Sequence, residues 1–88
     1  MCSVFHMEQI QHDPSLRRAR IAAEVRSELA IQKKTRAALS LAVTMSTYTL
    51  RRRLDGIQPF TMDELDSTTR FLGISLADFV ARTEAVAS

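Results

Sequence analysis

The segment Ser46–Gly56, STYTLRRRLDG, constrains the fold most, because it combines two helix caps with an apolar pair and three consecutive arginines. The Ser46 hydroxyl can accept a hydrogen bond from a backbone N–H of the first helical turn. Gly56 tolerates the left-handed conformation that ends many helices. Leu50 and Leu54 are four residues apart and share one helix face. We therefore predict a short helix that packs through two leucines and exposes a polar, arginine-rich face.

Positive charge is concentrated in the middle of the chain. The 88-residue protein has a net charge of only +2, yet residues 17–53 hold ten Lys/Arg and two acidic residues. That segment has a net charge of +8, against −2 for residues 1–16 and −4 for residues 54–88. A directed positive face in a nearly neutral protein favours a polyanionic partner such as nucleic acid. The alternative is an ordinary solvated helix surface.

Two helices are predicted before the arginine-rich helix. Asp13-Pro14 supplies an N-cap and a first helical residue, and this helix extends to about Ile31. Thr35 caps a second helix over residues 36–43. The residues expected to face the core are Ile21, Ala22, Val25 and Leu29, then Leu39 and Val43, with Ala38 and Ala42 permitting close approach. The turn of three or four residues that follows makes the second and third helices a helix-turn-helix unit.

Two further helices are predicted after the arginine-rich helix. Thr61 and Glu64 form a capping box that begins a fourth helix, and Gly73 ends it. Ser75 caps a fifth helix. The residues expected to face the core are Met62, Leu65, Thr69 and Leu72, then Leu76, Phe79, Val80 and Val86, with Ile57 and Phe60 anchoring the preceding loop. Since no stretch alternates with a period of two, we predict an all-α fold of five helices around one core.

Residues 20–80 resemble the lambda-repressor-like (Cro/repressor, Xre-type) DNA-binding domains of phages and bacteria. TRAALSLAVTMSTYTLRRRLDG resembles the family's helix-turn-helix motif, FTMDELDSTTRFLGISLADF its later helices, and IAAEVRSELA its first helix. The resemblance implies a five-helix lambda-repressor-like helix-turn-helix domain, which we assign to residues 13–88. Residues 1–12 form an N-terminal extension without a clear hydrophobic period.

The sequence departs from the family pattern at four positions. Thr44 stands where the turn usually has glycine, so a positive φ there would cost on the order of 1 kcal/mol. Arg53 stands where an apolar residue is usual, and Leu54 is expected to supply that packing. Ser40 replaces an alanine, and Arg36 replaces a glutamine.

The resemblance implies that the arginine-rich helix enters the major groove of double-stranded DNA, where its N-terminal residues meet base edges. The implied base contacts are Thr47, Tyr48, Thr49, Arg51 and Arg52. The implied phosphate contacts are Lys33, Lys34, Arg36, Ser46 and Gln58. Arginine can bond to guanine O6 and N7 together. The alternatives are that Tyr48 is a partly buried core aromatic and that the basic side chains are merely solvated.

The function expected from these features is sequence-specific transcriptional regulation. We expect a small phage-type repressor that binds a DNA operator as a homodimer, in the cytoplasm and associated with a bacterial nucleoid. A different class of function is a protein-interaction module, such as an antitoxin-like partner. We expect neither an enzyme nor a cofactor nor a small-molecule substrate, because no nucleophile–base pair or paired carboxylates occur. No apolar run is long enough to span a membrane.

The N-terminal extension contains potential metal ligands and several apolar residues. Cys2, His6 and His12 supply three potential metal ligands without the fourth that structural zinc requires, so we predict no metal site. The apolar residues of the extension could pack on the domain or on a partner subunit, or the extension could be a frayed tail. The expected dimer surface is either the extension or the fifth helix.

Overall fold

The computed structural model describes residues 14–85, with side chains described for residues 15–84. Five α-helices follow one another: α1 Pro14–Ile31, α2 Arg36–Ala42, α3 Thr47–Leu54, α4 Met62–Leu72 and α5 Leu76–Ala85. No strand occurs in this part of the chain, so the prediction of an all-α, five-helix fold is confirmed. The N-terminal extension, with Cys2, His6 and His12, lies outside the described residues.

The helices α2 to α5 begin at the predicted N-caps, and α3 and α4 end just before the predicted glycines. The hydroxyls of the N-cap residues accept a hydrogen bond from the backbone N–H three positions later, at Thr35, Ser46, Thr61 and Ser75. Gly56 (φ +75) and Gly73 (φ +73) adopt the left-handed conformation just after α3 and α4. An N-cap of this kind stabilises a helix by roughly 1 kcal/mol. Local sequence chemistry therefore sets where these four helices begin and where α3 and α4 end.

The core is one apolar cluster to which every helix contributes. Its buried members are Val25, Leu29, Leu39, Val43, Leu50, Leu54, Leu65, Leu72 and Phe79. α1 packs against α3 and α5, α2 packs against α3 and α4, and α4 packs against α5. Burying one leucine side chain contributes roughly 1.5–3 kcal/mol, so Leu50 and Leu54 hold α3 firmly on α1 and α2.

Two apolar residues near the loop between α3 and α4 are more exposed than the sequence predicted. Met62 is 66% exposed and Ile57 is 52% exposed, so the predictions that Met62 faces the core and Ile57 anchors the loop are wrong. Met62 is the first residue of α4, and its side chain lies at the edge of the core, one turn before the buried Leu65. With Pro59 and Phe60 it lines an open surface groove. Phe60 packs against the core as predicted.

Each of two helices buries a hydroxyl residue and exposes a nearby apolar residue that was expected to pack. On α2, Ala42 is exposed and Ser40 is buried, and the Ser40 hydroxyl donates to a carbonyl of the preceding turn at 2.9 Å. On α5, Val80 is 39% exposed while Thr83 is buried, and the Thr83 hydroxyl bonds within its own helix at 2.8 Å. Such back-bonding satisfies a buried hydroxyl. The exposure of Ala42 and Val80 shows that two predictions are wrong, namely close packing at Ala42 and a core-facing Val80. Val86 lies outside the described residues.

The turn between α2 and α3 has the backbone conformation that the family pattern implied. Thr44 has a φ of +51, which a β-branched residue adopts at a cost of roughly 1–2 kcal/mol. The turn is closed by the Met45 N–H, which donates to the Ser40 carbonyl at 2.9 Å. The strained residue therefore lies in the connection that sets the angle between the two helices.

Candidate nucleic-acid interface

α3 lies at the surface with its polar face outward. Thr47, Tyr48 and Arg51 are exposed, and Tyr48 retains 67% of its surface. Leu50 and Leu54 are buried on the opposite side of the same helix. The exposure of Tyr48 rules out the alternative that it is a core aromatic. The face predicted to contact bases is therefore open to a large ligand.

The first residue of α2 lies beside this face. Arg36, Thr47, Tyr48 and Arg51 line one shallow surface groove, with the buried Leu50 behind them. Arg36 is eleven or more residues away from the other three in sequence. The packing of α2 against α3 thus brings one predicted phosphate contact next to three predicted base contacts.

Arg52 and Tyr48 are neighbours on successive turns of α3. The Arg52 Cζ atom lies 5.9 Å from the centroid of the Tyr48 ring. A guanidinium within about 6 Å of an aromatic ring is attracted to it by roughly 0.5–1 kcal/mol at an exposed site. This contact favours one relative arrangement of the two side chains.

Ser46 is the N-cap of α3, and its side chain is hydrogen-bonded to Thr49. The Ser46 Oγ accepts from the Thr49 backbone N–H at 3.1 Å and donates to the Thr49 hydroxyl oxygen at 3.0 Å. Thr49 is half-buried while Ser46 is exposed. The cap therefore holds both side chains at the end of α3 that carries Thr47 and Tyr48.

The lysines predicted to contact phosphates lie in the turn between α1 and α2. Lys33 is exposed and has a φ of +55. The Lys34 ammonium donates to the Phe71 carbonyl at 2.7 Å and lies 4.5 Å from the centroid of the Phe71 ring. Lys34 thus contacts the C-terminal end of α4, whereas the Lys33 side chain makes no such contact with any residue that the structure describes.

Arg53 forms an ion pair that the sequence did not reveal. Its Nε lies 3.0 Å from Glu64 Oε1, and only 15% of the Arg53 side chain is exposed. Its Nη1 donates to Gln58 Oε1 at 2.6 Å. The predicted phosphate contact Gln58 is therefore also a partner of Arg53. The sequence showed both members of the pair, Arg53 at a position that is usually apolar and Glu64 in a capping box, but not that they lie next to each other.

The environment of Glu64 favours its charged form. Burial by itself raises the pKa of this carboxyl group. The opposing effects prevail, namely the hydrogen bond from Arg53, the bond from the Thr61 backbone N–H, and the attraction of the guanidinium, so the pKa of Glu64 lies below its ordinary value of 4.5. Glu64 is therefore an anion at neutral pH and a stable partner for Arg53.

Two arginines of α1 bind backbone carbonyls, one at the end of α3 and one in the loop that follows it. Arg26 donates to the Leu54 carbonyl, and Arg18 donates to the Ile57 carbonyl at 3.1 Å. Carbonyls at a helix C-terminus lack partners within the helix, and a nearby cation suits the negative end of the helix dipole. Part of the positive charge in residues 17–53 therefore acts within the fold.

A search of solved structures finds a match to the crystal structure of the clp gene regulator ClgR from Corynebacterium glutamicum. The two chains have a TM-score of 0.75 and 25% sequence identity, and the match covers 81% of this chain and 76% of that chain. This chain has a helix-turn-helix fold. No protein-family model matches the sequence, and a search of curated proteins finds no significant match.

In this helix-turn-helix domain, α2 is the first helix of the motif and α3 is the second. The exposed face of α3 offers guanidinium and hydroxyl donors together with one aromatic ring. Among the described residues, no group of three or more His, Cys, Asp or Glu side chains could hold a metal ion. No helix in residues 14–85 has both the length and the apolar character that crossing a membrane requires.

Proposed function

We propose that this protein is a sequence-specific, double-stranded DNA-binding transcriptional regulator that inserts α3 into the major groove. The observation that carries the proposal is the exposed face of α3, with Thr47, Tyr48 and Arg51 beside Arg36 in one groove. An α-helix fits the major groove, where every base pair presents a distinct pattern of donors and acceptors. The structural likeness to a gene regulator supports the same conclusion.

The proposed contacts divide into base readers and phosphate binders. Arginines one turn into α3 can bond to guanine O6 and N7, while an exposed aromatic ring and threonine methyl groups suit thymine methyl groups. The proposed base readers are Thr47, Tyr48, Thr49, Arg51 and Arg52. The proposed phosphate binders are Lys33, Lys34, Arg36, Ser46 and Gln58. Lys34 and Gln58 already form hydrogen bonds within the protein and would bind phosphate in addition to, or in place of, these bonds. Phosphate contacts position the protein without carrying sequence information.

The proposed mode of binding is that of a small phage-type repressor acting as a homodimer. One domain reads only a few base pairs, so a symmetric dimer on two half-sites about one DNA turn apart is the expected arrangement. α5 and the N-terminal extension are the two candidate dimer surfaces. A cytoplasmic, nucleoid-associated location follows from binding to a bacterial operator.

Selection of bound duplexes from a random DNA pool tests this proposal. The expected result is an enriched motif with two symmetric half-sites, whose binding weakens steeply as salt rises because phosphate contacts release counterions. A pool that yields no motif would overturn the proposal. A stoichiometric complex with another protein, without DNA affinity, would instead favour an antitoxin-like interaction module.

A further inference from the structure

We infer that Glu64 is a positioning residue, which holds α3 through Arg53 and thereby sets how sharply the protein distinguishes its operator from other DNA. This inference rests on the proposed function. Glu64 lies on α4, outside the helix-turn-helix motif, and it is not among the proposed DNA contacts. Its effect on DNA recognition would be exerted through the orientation of α3.

The guanidinium of Arg53 is bound by partners on α4 and on the loop before it. Its Nε and Nη2 donate to the two carboxylate oxygens of Glu64 at 3.0 and 3.5 Å, and its Nη1 donates to Gln58. Glu64 Oε1 also accepts from the Thr61 backbone N–H at 2.9 Å. A fork of this kind restricts direction as well as distance, so Arg53 links α3 to the first turn of α4 in a defined geometry.

The same end of α3 is held from the other side by α1. Arg26 binds the Leu54 carbonyl, which is the last carbonyl of α3. The C-terminal end of α3 therefore lies between two sets of directional contacts, from Arg26 and from Glu64. The opposite end, where Thr47 and Tyr48 lie, is exposed.

Small changes at the anchored end are magnified at the end that meets the bases. α3 has eight residues, so it is about 12 Å long at 1.5 Å per residue. A tilt of about 10° at the Arg53 end moves the other end by about 2 Å. Recognition sites must be held within roughly 0.5 Å of the productive geometry, so such a tilt disrupts base readout while leaving looser phosphate contacts in place.

Glu64 has a second effect on specificity because it neutralises Arg53. Without the carboxylate, Arg53 has neutral hydrogen-bond partners such as Gln58 among the described residues, and a phosphate becomes the favourable counter-charge. Loss of Glu64 therefore weakens binding to the operator and strengthens binding to DNA of unrelated sequence. A purely structural role would lower both affinities together.

The test compares E64Q with the matched control E28Q. Glu28 forms an ion pair of the same 3.0 Å length with Arg82, between α1 and α5, and its side chain is 12% exposed against 22% for Glu64. Both substitutions remove one negative charge and keep the shape of the side chain. The measurement is the specificity ratio, which is the dissociation constant for a scrambled duplex divided by the dissociation constant for the selected operator of equal length, at one salt concentration.

The expected result is that E64Q lowers this ratio about tenfold, the scale of one bidentate base contact, while E28Q leaves it unchanged. Equal ratios in E64Q and E28Q, or a parallel loss of both affinities, would overturn the inference.

R53K keeps the positive charge and the capping box but loses the fork, so it tests the same link if E64Q does not fold. It should lower the ratio too, and an unchanged ratio in folded R53K would count against the inference. If the unmodified protein selects no DNA, the proposed function itself fails, which is a separate result.

Discussion

At the scale of single residues, the three arginines of α3 differ in how tightly the protein holds them. Arg51 is exposed, whereas Arg52 is half-buried and lies on the Tyr48 ring. Arg53 is held by Glu64 and Gln58. Three consecutive arginines therefore have three different environments, and Arg52 is the one that combines surface access with a preset orientation.

The substitution R52A should weaken operator binding by about 1–3 kcal/mol and relax the preference at one base pair, because a bidentate guanine contact is lost. Binding measurements on a set of operators with single base-pair changes check both effects. R70A is the control, since Arg70 is an exposed arginine in the last turn of α4, away from α3. Equal affinities for R52A and the unmodified protein would show that Arg52 reads no base.

The turn residue Thr44 offers a prediction about stability. T44G should raise the free energy of unfolding by roughly 1 kcal/mol, because glycine adopts a φ of +51 without the steric penalty of a Cβ atom. A gain of that size raises the Tm by about 4–8 °C in a domain of this length. T44A is the control, since alanine keeps the Cβ atom and most of the strain. A lower Tm for T44G would show that the added freedom of the unfolded chain outweighs the relief.

At the scale of elements, the sequence predicted the features that depend on residues close together in the chain. It did not predict the contacts that depend on the relative orientation of the helices. The caps at Ser46 and Thr61 and the leucine pair of α3 are local features, and all were confirmed. The partners of Arg53 and Arg26 belong to other helices, so only the relative orientation of α1, α3 and α4 reveals them. The exposure of Met62 also depends on where the core ends.

The ion pair between α3 and α4 makes stability depend on pH. Because the pKa of Glu64 is lowered in the folded protein, its contribution is fully present above the ordinary value and is lost as the pH falls through the folded value. The Tm difference between the unmodified protein and E64Q should therefore be constant near neutral pH and shrink below about pH 4.5. Thermal unfolding of both proteins from neutral to acidic pH checks this. A difference that stays the same at all these pH values would contradict the assigned ion pair.

At the scale of the whole molecule, the basic middle of the sequence serves two purposes. Arg18, Arg26, Arg53 and Lys34 bind carbonyls, a carboxylate or an amide within the fold. The remaining basic side chains include Arg36, Arg51 and Arg52 on and beside α3. The net charge of +8 on residues 17–53 thus overestimates the number of basic side chains that are free to bind an external anion.

The position of α3 in the major groove is the central claim, and methylation interference tests it most directly. Dimethyl sulfate modifies guanine at N7 in the major groove and adenine at N3 in the minor groove, and these atoms are the acceptors that each groove presents. We predict that guanine methylation in each half-site blocks binding, and that R52A loses the interference at one of these guanines. Interference from adenine methylation alone, or from neither base, would contradict the account.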